Sequence, residues 1–82
     1  MKTDTKAHHF LDLSGVVCPI NYVKAKLKLE EEVKGGEVLE IILDDGMPIK
    51  SVPPSVQKEG HEIVAVVPKG NQFQVFIKKK GV

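Results

Sequence analysis

The chain predicts an α/β (α+β) two-layer sandwich, with two helices packed on one face of a four-stranded mixed sheet in the order β-α-β-α-β-β. Three observations lead there. An apolar stripe at helical spacing sits between two segments that read as strands. The C-terminal part closes on two strand-like runs separated by a proline- and glycine-containing turn signal. At 82 residues, with 41% hydrophobic and 28% charged content, the chain suffices for one modest core and leaves no room for a second lobe.

Residues 1–6 are polar and are expected to form a disordered tail, leaving 7–82 as a single domain. The run His8-His9-Phe10-Leu11-Asp12-Leu13 alternates weakly and predicts a first strand, broken by Ser14-Gly15. Pro19 then opens a helix to Lys34, because proline is favoured at the first helical position. The residue before a proline is pushed away from helical dihedrals, which places Cys18 at the N-cap. Within this helix Tyr22, Ala25, Leu29 and Val33 form one apolar stripe, and Ile20, Val23 and Leu27 a second on another side. One face is expected on the sheet and the other against a neighbouring helix or a partner.

Gly35-Gly36 ends the helix, and Glu37–Leu43 is the strongest strand signal in the chain. Asp44-Asp45-Gly46 reads as a solvated turn. Pro48, Pro53 and Pro54 argue against one continuous helix after it and leave a short one over Pro54–Glu59, stopped by Gly60. His61–Val67 predicts a third strand, Pro68-Lys69-Gly70-Asn71 a turn, and Gln72–Lys78 a fourth strand that completes a hairpin.

Composition narrows the function classes. Twelve basic residues against 11 acidic give a net charge of +1, which argues against a general polyanion binder, so no direct nucleic-acid role is expected. No apolar stretch approaches the ~18 residues a bilayer span needs, and the N-terminus lacks the apolar segment of a secretory signal. A cytoplasmic location is therefore expected, where a single thiol stays reduced. The glycines are scattered or serve turns, so no phosphate loop is present. A structural zinc site needs about four ligands, and His8, His9 and His61 would join Cys18 in a mixed site only if the fold gathered them. No metal and no cofactor are expected.

Cys18 is the only cysteine, so it cannot form an internal disulfide. At the positive end of a helix a thiolate is stabilised and becomes a nucleophile. A buried cysteine acting as a small apolar residue is the competing reading. Lys24, Lys26 and Lys28 follow at a spacing of two, which fans them around the helix; they are candidate docking residues for an acidic partner or simply solvated charges beside Glu30–Glu32.

The segment Leu11-Asp12-Leu13-Ser14-Gly15-Val16-Val17-Cys18-Pro19, followed by a helix, resembles the start of the TusA (SirA-like) family of small sulfur carriers. Gly35-Gly36-Glu37, Asp44-Asp45-Gly46 and the stretch from Val52-Pro53 to Gly60-His61 extend the resemblance from Phe10 to Ile77. It implies a persulfide carrier of the sulfurtransferase type rather than a stand-alone enzyme. Cys18 would accept sulfane sulfur from a cysteine desulfurase or a rhodanese-like protein and relay it to a downstream thiol acceptor protein. Gly15 and Pro19 would shape the site. The family motif Cys-Pro-x-Pro reads Cys18-Pro19-Ile20-Asn21 here. Asn21 is expected to offer a backbone N–H to the Cys18 sulfur, or a side chain to the Cys18 backbone as in a capping box. The alternative is a changed partner fit. From a different class comes a regulatory or interaction module on the same scaffold, with a structural Cys18 and Ile20, Val23 and Leu27 as the docking surface.

Overall fold

The structure, a computed structural model, describes residues 7–17 and 19–81. Its elements are β1 (His9–Asp12), α1 (Ile20–Glu31), β2 (Val38–Asp44), α2 (Met47–Lys58), β3 (Glu62–Lys69) and β4 (Gln72–Lys78). They form one mixed sheet of order β1-β2-β4-β3, in which β1 and β2 are parallel while β4 runs antiparallel to both β2 and β3. The expected element order and fold class hold.

Alternation along β2 decides where the core lies. Leu39, Ile41 and Leu43 are fully buried, whereas Glu40, Ile42 and Asp44 point to the other face and are half-buried. Val75 and Ile77 of β4 share the buried face. Ala25, Leu29 and Val33 from the α1 side and Val52 and Val56 from α2 complete one core cluster with Leu13. Both helices therefore cover the same side of the sheet. Ile20, Val23 and Leu27, at 49%, 45% and 46% exposure, stay outside it as an apolar ridge along α1. Asn21, not Tyr22, leads the buried stripe, since Asn21, Ala25 and Leu29 follow at intervals of four and Tyr22 is only half-buried.

Helix α1 stops before Lys34. The Glu32 and Val33 N–H groups both donate to the Lys28 carbonyl, and Lys79 Nζ donates to the Val33 carbonyl at 2.9 Å. These bonds satisfy the end of the helix from within and from the segment after β4.

Helix α2 differs most from the sequence reading. It runs unbroken from Met47 to Lys58 and contains both Pro53 and Pro54. Pro48 falls in the first turn, where an N–H would have no intrahelical partner. Each interior proline removes a helical bond at a cost of about 3 kcal/mol in an isolated helix. Complete burial of Val52 and Val56, with Ile49 packed on the same cluster, offsets that loss. The Ser51 and Ser55 hydroxyls donate to the Met47 and Ser51 carbonyls one turn back. The helix ends at a Schellman motif: the Gly60 N–H donates to the Gln57 carbonyl and the His61 N–H to the Val56 carbonyl. Gly60 has φ +100°, and a Cβ there would meet the Lys80 side chain at 2.7 Å.

Pro68 lies inside β3 rather than in a turn. Since β3 is an edge strand, a proline lacking its N–H is tolerated there. The chain reverses over Gly70 and Asn71 alone, with Gly70 at φ +61°.

Truncating Leu29 to Ala should lower unfolding free energy by about 2–5 kcal/mol, because a fully buried leucine leaves a cavity. The same change at exposed Leu27, two residues away on the ridge, should cost under about 1 kcal/mol. Urea unfolding of the two variants measures the difference, and equal losses would contradict this core assignment.

Candidate functional site: the loop between β1 and α1

The loop from Leu13 to Pro19 leaves the end of β1 and returns as α1. Asp12 starts it as an Asx turn, accepting from the Ser14 N–H at 2.9 Å and the Ser14 hydroxyl at 2.6 Å. Those bonds, the hydroxyl first, hold the Asp12 carboxyl below its ordinary value. Leu13 is buried as a plug, and the Val16 N–H returns to its carbonyl at 3.1 Å. Gly15, third in that four-residue turn, has φ +73°, which a type II turn requires of this position. Nothing lies within 4 Å of a Cβ placed there, so backbone conformation and not space favours glycine.

The far end of β2 grips this turn. Asp44 Oδ2 accepts from the Gly15 N–H at 2.8 Å, and Gln72 Nε2 lies 3.0 Å from Asp44 Oδ1 and 2.7 Å from Ser14 Oγ. The Gln72 hydrogen bond, followed by that from Gly15, keeps the Asp44 carboxyl below its ordinary value. Asp44 is thus not the solvated turn residue expected from the sequence; it is half-buried and bonded on both oxygens. Asp45 is exposed and bonds the next N–H, that of Gly46.

A second anchor comes from α1. Asn21 is fully buried, the one buried polar side chain among the described residues. Its backbone N–H donates to the Val17 carbonyl at 3.1 Å, its Nδ2 to the Val16 carbonyl at 3.4 Å, and its Oδ1 accepts from the Tyr22 N–H at 2.7 Å. Asn21 therefore ties the chain on the near side of position 18 to the first turn of the helix beyond it. The bonds expected between Asn21 and Cys18 fall on a residue outside the described ones. The Tyr22 hydroxyl in turn donates to Glu59 at 3.1 Å, linking α1 to the end of α2.

Cys18, the expected sulfur-bearing residue, lies outside the described residues. On its two sides Val17 is 64% exposed, and Pro19 is exposed too. Pro19 is the N-cap, one position later than expected, and its carbonyl accepts the Val23 N–H at 3.0 Å. That shift moves Asn21 to the second helical position.

The lysines do not converge. Lys24 and Lys28 line one groove of about 300 Å³ with Leu11, Leu27, Glu31 and Glu32, and Lys28 pairs with Glu32 at 2.7 Å. Lys26 lies apart from that groove. The histidines are separated by the sheet: His8 and His9 lie at β1 and His61 at the start of β3, on opposite edges. His9 Nε2 meets Glu37 at 2.8 Å, while His61 Nδ1 accepts the Lys80 N–H at 3.0 Å. Among the described residues, no group of three His, Cys, Asp or Glu side chains is placed to hold a metal ion, and no helix is long and apolar enough to cross a membrane.

Asp44 and Gln72 were not singled out from the sequence, although a signal existed. Pairing β1 with β2 in parallel sets Asp12 opposite Ile42, and continuing that register by two residues brings the Ser14-Gly15 turn to Asp44.

Asn21→Ala removes the two side-chain bonds at a buried position, keeps the backbone bond to Val17, and should lower stability by about 1–3 kcal/mol. It should also speed amide exchange at Tyr22, whose N–H loses its acceptor. Hydrogen exchange followed by NMR reads both, and unchanged protection at Tyr22 would contradict the assigned bond.

Comparison with known proteins agrees with this geometry. The family profile described as "Sulfurtransferase TusA" matches residues 9–79, from β1 to the residue after β4. The chain is 43% identical over 76 residues to an Archaeoglobus fulgidus protein that bears a sulfur-carrier name, covering 92% of this chain and 85% of that one. It is 37% identical over 71 residues to a similarly named Thermotoga maritima protein, covering 85% and 89%. Sulfur carrier protein TusA of Allochromatium vinosum is 32% identical over 69 residues, covering 84% and 90%. With a profile that spans every strand and helix and relatives matched over most of their own length, this chain belongs to the TusA family.

Proposed function

We propose that this protein is a sulfur carrier in which the Cys18 thiolate takes up sulfane sulfur as a persulfide and passes it to another protein's thiol. The observation that carries the reading is the loop itself. Its turn is fixed by Asp44 on one side and its last residues by Asn21 on the other, and it leads to the only cysteine at an exposed helix start. A relay needs a thiol presented outward on a firm base, because both its substrates are sulfur atoms on other proteins.

The chemistry balances without an oxidant. The Cys18 thiolate attacks the terminal sulfur of a donor persulfide, forming a new S–S bond. The donor's S–S bond breaks and its cysteine leaves as a thiolate. The second transfer repeats the step with Cys18 as the leaving group. A thiolate near a helix N-terminus serves both steps, since lowering its pKa raises the ionised fraction and improves the leaving group.

The donor is a cysteine desulfurase or a rhodanese-like protein, and the acceptor a protein thiol; both meet the chain in the cytoplasm. Ile20, Val23 and Leu27 form an exposed ridge running away from Cys18, flanked by Lys24 and Lys28. This ridge suits protein partners with an apolar contact and acidic edges, while Lys26 lies off that groove. The same ridge supports a second reading, an interaction module with a structural Cys18.

Intact-protein mass spectrometry after incubation with a cysteine desulfurase and cysteine separates the two. Wild type should gain one sulfur atom that reductant removes, and Cys18→Ser should gain none. No gain in wild type, together with a Cys18 inert to iodoacetamide and full partner binding by Cys18→Ser, would establish the interaction module instead.

A further inference from the structure

Asp44 lies on another element from Cys18, yet it makes the only described side-chain bond to the Gly15 backbone. We propose that Asp44, braced by Gln72, is a positioning residue that holds the β1–α1 loop in its transfer-competent conformation; this rests on the sulfur-carrier reading above.

The bonds form one continuous chain across three elements. Gln72, the first residue of β4, holds both Asp44 at the end of β2 and Ser14 in the loop. Ser14 is fixed from below by Asp12 at the end of β1. Asp44 and Gln72 are themselves direct ladder partners, so the brace is built on the central β2–β4 pair of the sheet. A short loop containing a glycine at φ +73° has many alternatives open to it without such a grip. The Gly15 N–H, bonded to a carboxylate, selects one of them. Bonds to an ionised acceptor are roughly twice as strong as neutral ones, which suits a brace exposed to solvent. Its carboxylate stays ionised throughout the neutral range, so the grip is intact wherever a thiolate can form.

Two properties separate positioning from a charge that merely contacts a partner. A positioning carboxylate can be replaced by asparagine, whose amide oxygen still accepts from Gly15. Its NH₂ donates to the Gln72 carbonyl oxygen once that amide turns over. A partner-contacting charge cannot be replaced so. Positioning also acts on transfer after the donor has bound, not on donor affinity.

The test uses the full chain with a cysteine desulfurase and cysteine, comparing wild type, Asp44→Ala, Asp44→Asn and Gln72→Ala by the rate of sulfur gain at several donor concentrations. Asp44→Ala should lower the limiting rate by about five- to tenfold with little change in the half-saturating donor concentration, given how strongly transfer depends on placement. Asp44→Asn should recover to within about twofold, and Gln72→Ala should fall between them. The Gly15 amide should exchange faster in Asp44→Ala and remain protected in Asp44→Asn, which tests the bond without reference to activity. Thermal unfolding of each variant checks that it is folded. Loading by Asp44→Ala at the wild-type rate would overturn the proposal while leaving the carrier reading in place. Asp44→Asn failing as badly as Asp44→Ala would overturn it in favour of a partner-contacting charge. A wild-type chain that takes no sulfur would remove the carrier reading and this proposal together.

Discussion

The parallel pairing of β1 with β2 is the constraint on which the rest of this molecule depends. Only four residue pairs define it, from His9 opposite Leu39 to Asp12 opposite Ile42. The His8 and Leu13 N–H groups extend it at both ends, to the Val38 and Ile42 carbonyls. A parallel pair cannot be joined by a tight turn, so the chain must cross over, and α1 is that crossover. The same register buries Leu13 beneath the loop and brings the loop's turn to Asp44. A slip by one residue would turn Leu11 to the open face and carry the turn past its acceptor. The path of the loop that leads to Cys18 is therefore set by sheet register before any residue of the loop itself contributes.

Polar groups around the loop are placed where their loss would be felt locally. Asn21 occupies a core position that Ala25 and Leu29 continue with apolar side chains. A buried amide is tolerated there because each of its polar atoms finds a backbone partner. The relevant consequence of asparagine in place of the family's second proline is structural: it gives a backbone N–H for Val17 and a side chain for Val16, neither of which proline offers. On the other side of the loop, the carboxylates of exposed Asp12 and half-buried Asp44 each take more than one donor. The two anchors differ in kind, one buried and neutral and one solvent-accessible and charged. Salt and pH therefore act on the second far more than on the first.

Much of this was legible in the sequence, for physical reasons. β4 was readable to the residue because Phe73, Val75 and Ile77 alternate with Gln72, Gln74 and Lys78, broken only by Phe76, and β2 nearly so because branched apolar residues dominate it. The exposed ridge of Ile20, Val23 and Leu27 was visible as a second stripe, since periodicity alone reports which residues share a face. Helix α2 was not legible. Pro53 and Pro54 carry a strong local signal, and only the burial of Val52 and Val56 against the sheet overrides it. Pro68 misled for a related reason: whether a proline fits a strand depends on whether that strand is an edge, which is a fact of topology. Asp44 was hidden because its partners are distant in sequence, and beside Asp45 and Gly46 its local context reads as a turn. The role of Asn21 was half visible, as a departure from a motif, but its partners needed the loop's path to be seen.

The central claim is that this loop presents Cys18 as a reactive thiolate, and the pH dependence of its alkylation tests that most directly. Iodoacetamide reacts with the thiolate alone, so the observed rate against pH gives the thiol's pKa without any partner protein. The account predicts a single inflection clearly below the ~8.5 of an ordinary thiol, with a plateau rate showing free access. An inflection at or above ~8.5, or a thiol that does not react in the folded protein, would contradict it.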